Sequence, residues 1–190
     1  MSILNIEQIY KNLEESNAAK KEVNRMPYRW ISPQSIIDNI IFELEKIGHG
    51  ELTSITQTEK ADECISKYDS LVNELGAEWT RISSLSATGG NALSALNRHQ
   101  AQCPGKCCEH LKPNSLQCDS QIISDIKLVM NENHRVVKVA QQKARQLYTN
   151  AISQREQARE QAAYIRASVR CHQAGEKRRA GEPQLDPSCN

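Results

Sequence analysis

Between about residues 119 and 172 the chain has no Gly and no Pro, and apolar residues return every three or four positions. Read as a heptad, the a and d positions are Ile123, Ile126, Met130, Asn133, Val137, Ala140, Ala144, Leu147, Ala151, Gln154, Ala158, Gln161, Ile165 and Ser168. Ten of these fourteen are apolar, an Ala-rich stripe interrupted by polar residues. The pattern predicts a helix from Asp119 to His172, which at 1.5 Å per residue reaches roughly 75–80 Å. Such a stripe needs another helix to cover it.

A second heptad lies upstream. Ala61, Ile65, Tyr68, Val72, Leu75, Trp79 and Ile82 alternate in spacings of four and three, which predicts a helix with a narrow seam. Thr56 and Glu59 are spaced as a capping box for its start. The run Ser86-Ala87-Thr88-Gly89-Gly90 reads as its end, and Asn91 as the cap of a short helix that turns Ala92, Leu93 and Leu96 inward. Two shorter helices precede this pair. Over 33–47, Ser32 caps, Pro33 occupies the first turn and Gly48 stops the helix. Its apolar face is Ile36, Ile37, Ile40, Ile41, Leu44 and Ile47. Over 5–25, Ile6, Ile9, Tyr10 and Leu13 share a face that fades until Val23. The segment Met26-Pro27-Tyr28-Arg29-Trp30 breaks that helix and brings aromatics to a corner of the core.

The fold class expected is all-α: an elongated, coiled-coil-like antiparallel helical hairpin, two shorter N-terminal helices and a Cys/His-rich loop. The division expected is an N-terminal helical pair at 1–50, the long hairpin at 51–172 with the loop at 99–119, and a disordered polar tail at 173–190. On these lengths the last helix outruns its partner by some twenty residues, roughly 150–172. That excess is expected to project, to pair with the first two helices, or to meet a second copy of the chain.

Composition narrows the class. A hydrophobic content of 38% with one Phe and two Trp suits helices that bury narrow seams. The net charge of +1 hides an asymmetry. Residues 1–120 hold 12 Lys/Arg against 16 Asp/Glu, and residues 121–190 hold 12 against 7. No apolar run approaches 18 residues and the N-terminus does not resemble a signal peptide, so a cytoplasmic, non-membrane protein is expected. Seven cysteines in a reducing compartment argue against a disulfide framework.

The segment 101–119 is the one place where composition suggests chemistry. Cys103, Cys107, Cys108, His110 and Cys118 supply soft ligands within sixteen residues, with His99 just upstream. A structural Zn²⁺ fastening a polar loop is one reading. Free thiols and disulfides, such as Cys103 to Cys118, are the others, because the spacing lacks a Cys-x2-Cys pair. Cys171-His172 joins such a site only if the chain returns to the loop. Catalysis is not expected. Cys108-x-His110 is the one close nucleophile–base pair, and no phosphate-cradling or His-Glu-x-x-His motif is present. No small-molecule substrate is evident.

Two functions remain. The first is a non-enzymatic interaction or assembly protein whose long seam, at Met130, Val137, Leu147 and Ile165, holds a protein partner or a second copy. The second is a nucleic-acid-binding regulator. Arg155, Arg159, Arg166 and Arg170 form a basic stripe able to track phosphates, beside a zinc-fastened loop. Glu156 and Glu160 interrupt that stripe, and no aromatic residues interleave it for base stacking. The helix at 33–47 is unsuited to a DNA groove because Asp38, Glu43 and Glu45 line its outer face.

Overall fold

The computed structural model describes residue 4 and residues 6–26, 33–102 and 120–180. Among the described residues there are four helices and no strand, and 93% of those residues are helical. They are α1 (Ile6–Asn24), α2 (Pro33–Gly48), α3 (Ile55–Gln102) and α4 (Ser120–Arg179). The all-α class read from the heptads is the class observed.

The first two helices lie where their end signals place them. Pro33 opens α2, since a missing N–H costs nothing in a first turn. Gly48 closes it, and the His49 N–H bonds back to the Glu45 carbonyl at 2.9 Å. Ile37, Ile40 and Leu44 are buried, while Ile36 and Phe42 stand at the surface. The apolar face is therefore narrower than the sequence suggested.

Helix α3 differs from expectation at both ends. It starts one residue before Thr56, and the capping box is formed by Ser54 and Gln57. The Gln57 Oε1 accepts from the Ser54 N–H at 3.0 Å, while the Ser54 Oγ accepts from the Thr56 N–H at 3.3 Å. More important, α3 does not stop at Thr88-Gly89-Gly90 but continues to Gln102. The glycines are accommodated because they face α4. A Cβ on Gly89 would lie 3.1 Å from His134 Nδ1, and one on Gly90 would lie 3.5 Å from His134 Cε1. Here Gly thins the helix for a neighbour instead of ending it. Helix α4 likewise passes Gly175 and runs to Arg179, beyond the expected end at 172. With α3 at 48 residues and α4 at 60, the excess of α4 falls to twelve residues.

Packing gathers the chain into two compact units, and α3 and α4 each pass through both. Unit 1 comprises Met1–Ile31 and Ala77–Arg145. It combines α1 with the second part of α3 and the first part of α4. One apolar cluster joins Ile9, Leu93, Leu96, Ile123, Ile126 and Met130. A second joins Val23, Met26, Ile82, Val137 and Ala144. Asn133 is a buried polar residue of this unit, donating to Ser16 Oγ at 3.2 Å and Asn17 Oδ1 at 2.7 Å. Helices α3 and α4 run antiparallel here. Gln141 reaches Ser83 at 3.1 Å, His134 faces Gly89 and Gly90, and Lys127 reaches Gln100 at 2.9 Å.

Unit 2 comprises Ser32–Gly76 and Gln146–Asn190. It combines α2 with the first part of α3 and the last part of α4. Ala61, Tyr68, Leu71, Val72 and Leu75 of α3 are buried, as are Ala151, Ala158, Ala162, Ile165 and Val169 of α4. The small α4 side chains leave room for larger ones. Tyr68, fully buried, donates its hydroxyl to the Ala151 carbonyl at 2.8 Å. A Cβ on Gly76 would lie 3.0 Å from the Tyr148 ring. Helix α2 covers the segment expected to project, with Gln34 near Gln154 at 3.5 Å and Gly48 against Gln161.

Candidate interaction surface

The residues expected to meet a partner are used inside the chain. Met130 and Val137 are buried in the two clusters of unit 1, Ile165 is buried in unit 2, and Leu147 is half-buried. The reason is physical: α1 and α2 supply the covering helices, and α3 is long enough to serve both units. The seam is closed intramolecularly and is not the free surface.

The arginine stripe is also engaged. Arg155 Nε donates to Asp69 Oδ1 at 2.8 Å, Arg159 Nη2 donates to Asp69 Oδ2 at 3.1 Å, and Arg166 pairs with Asp62 at 3.3 Å. Arg170 is not free either. Burial raises the pKa of Asp69, but the hydrogen bonds and charges of Arg159 and Arg155 outweigh it and hold the carboxyl below its ordinary range. Three of the four guanidinium groups expected to track phosphates thus neutralise carboxylates of α3.

Cys103, Cys107, Cys108, His110 and Cys118 lie outside the described residues. Among the described residues no group of three or more His, Cys, Asp or Glu is placed to hold a metal. His99, at the edge of that segment, is only 3% exposed, and among the described residues neither ring nitrogen has a hydrogen-bond partner. Burial lowers its pKa. Cys64 is a free, half-buried thiol whose pKa is raised, first by burial and then by Glu43 and Glu63, against the pull of Lys67. A raised pKa keeps the thiol neutral and makes it a poor nucleophile. Cys171 takes part in a disulfide, the use of cysteine that the sequence made less expected but left open.

What the heptad reading missed is the opposite face of α4 in unit 1. Leu128, Val129 and Val139 are 67%, 45% and 55% exposed. Leu128 and Val139 are separated by three helical turns and so share one side, with Val129 next to Leu128 and Val136 half-buried on the same flank. Asp125, Glu132, Arg135 and Lys143 are interspersed among them, all exposed. Glu132 and Arg135 bridge within the helix at 2.8 Å. The signal was present in the sequence: these apolar residues sit off the a and d positions. In unit 2 the one Phe of the chain, Phe42, is 62% exposed on α2. Among the described residues no helix is long and apolar enough to cross a membrane. No protein-family model matches the chain, and no curated protein or solved structure matches it.

Proposed function

We propose that the chain is a non-enzymatic helical interaction protein whose heptad seams hold its own fold and whose outward apolar side chains meet a protein partner. The observation that carries this reading is the set of large apolar side chains left exposed on α4, Leu128 above all. An isolated exposed Leu needs no explanation. A stripe of Leu128 and Val139 with Val129 on its flank, opposite a face that is already buried, favours a docking surface. In this reading α3 and α4 form a long antiparallel hairpin, with the Cys/His segment joining its arms. The nucleic-acid reading is the less favoured one, because Arg155, Arg159 and Arg166 pair with Asp69 and Asp62. Structural zinc stays part of the proposal on the ligand chemistry at 103–118, and the His99 nitrogens beside that segment, unpartnered among the described residues, favour it.

The test is recovery of the protein from its own host as wild type and as Leu128→Glu. The wild type is expected to be associated with another protein chain, and the variant to lose that association at unchanged helicity. Association that is absent in the wild type, or equal in the variant, contradicts the reading. For zinc, metal analysis of protein purified without added metal is expected to find about one equivalent. None bound, and none taken up on titration, removes the zinc claim.

A further inference from the structure

We infer that the outer stripe of α4 in unit 1 docks on the same stripe of a second copy of this chain. The two helices run antiparallel, about a two-fold axis that passes between them, level with the midpoint of Glu132 and Arg135. This rests on the interaction reading above and names the partner.

The inference comes from where charge and apolar side chains fall along the exposed face. A two-fold contact pairs each residue with the one equally far on the other side of the axis. With the axis between Glu132 and Arg135, Glu132 of one copy meets Arg135 of the other, and the reverse pair forms by symmetry. The same operation sets Leu128 against Val139, and Val139 against Leu128. Asp125 falls opposite Gln142 and beside Lys143. All of these side chains are exposed in the single chain, so none must leave the core to make the contact. Each copy already holds Glu132 and Arg135 together on its surface, and docking exchanges that exposed pair for two pairs across the interface. Parallel pairing would place Glu132 on Glu132 and Arg135 on Arg135, and like charges in contact oppose it. The self-complementarity thus selects both the partner and the direction.

The stripe from Asp125 to Lys143 spans about 27 Å of helix. A strip one helix wide covers less than the ~800 Å² per partner of a standard interface, so a dimer in the micromolar range is expected.

The experiment is size exclusion with light scattering on the purified full chain from roughly 1 to 500 μM, with and without reductant. The wild type is expected to pass from monomer to dimer as concentration rises. Leu128→Glu is expected to weaken dimerisation about 100-fold, because each substitution is felt at both symmetry-related contacts. Glu132→Arg and Arg135→Glu are each expected to weaken it about 10-fold or more, since each sets like charges together. The double variant E132R/R135E is expected to restore the wild-type dimer, because both cross-pairs re-form with reversed polarity. Circular dichroism checks that every variant keeps its helix content. A wild type that stays monomeric at the highest concentration overturns the inference. So does a dimer that vanishes on reduction, or a double variant no better than the single ones. If the wild type is monomeric but Leu128→Glu still loses a different host protein, only the second copy is excluded and the interaction reading stands. If no association of any kind is found, both fall.

Discussion

Replacing Gly90 by Ala probes whether α3 runs through the double glycine or stops there. In a continuous helix Ala is favoured over Gly by about 0.8–1.0 kcal/mol. The new Cβ meets His134 Cε1 at 3.5 Å and Nε2 at 3.8 Å, ordinary van der Waals separations. Each such contact adds only ~0.1–0.2 kcal/mol, so Gly90→Ala is expected to stabilise unit 1 by about 1 kcal/mol. For a chain of this size that is roughly 2–4 °C in Tm. Gly89→Ala is the internal comparison. It gains the same propensity, but its Cβ lies 3.1 Å from His134 Nδ1, so the imidazole must give by a few tenths of an ångström. Its net gain is expected to be smaller than that of Gly90→Ala. Urea unfolding followed by circular dichroism at 222 nm reads both. If the segment were a turn needing positive φ, Ala would destabilise by at least the helix gain. A loss of about 1 kcal/mol or more at Gly90 would therefore refute the continuous helix.

Three further outcomes follow from the buried polar groups and ion pairs. Burial lowers the pKa of His99 from 6.5, and burial followed by Lys138 lowers that of His134. The unfolded chain therefore binds protons that the folded chain refuses, so stability is full above about pH 6.5 and falls as pH drops below it. In metal-free protein His99→Leu is expected to flatten that decline and raise stability by ~1–2 kcal/mol, since the two nitrogens it removes have no partners among the described residues; thermal melts from pH 7.5 to 5 check both. Asp69→Asn loosens Arg155 and Arg159. With side chains about a third exposed the expected cost is only ~0.5–1 kcal/mol, smaller still in high salt. Because the Asp69 pKa lies below 3.8 in the fold, its contribution is present above that value and is lost as pH falls through the lowered one. The wild type alone should show this acid limb in melts below about pH 4. Tyr68→Phe deletes the buried hydroxyl bonded to the Ala151 carbonyl and should cost ~1 kcal/mol in urea unfolding of unit 2.

The legible parts of the fold are those whose signals are local. Pro33 and Gly48 bracket α2 because a first turn tolerates the missing N–H and a last turn welcomes glycine. The error at Gly89-Gly90 came from giving local breaker residues more weight than phase. The four-and-three spacing from Ala61 to Ile82 continues through Ser86, Gly89, Leu93 and Leu96 without a slip. A turn at Gly89 would have reset it. Other features depend on pairs distant in sequence. Asn12 and Ser16 look like a fading face on α1, yet both are buried, and Ser16 meets Asn133 across 117 positions. The arginines of α4 look like a solvated stripe until Asp69 and Asp62 are brought beside them. The exposed apolar side of α4 was masked by the same bias. The strongest heptad drew the reading to Met130, Val137, Leu147 and Ile165, positions that closing the fold mostly consumes.

The chain closes its own seams without a partner. Amide hydrogen exchange on the chain, diluted until light scattering shows monomer only, tests it most directly. Helix α4 should be protected around Met130, Val137 and Ile165, as should α3 across Gly89 and Gly90. Exchange in α4 at the rate of an unstructured chain, slowed only when another protein is added, would mean that the seams stay open in the single chain.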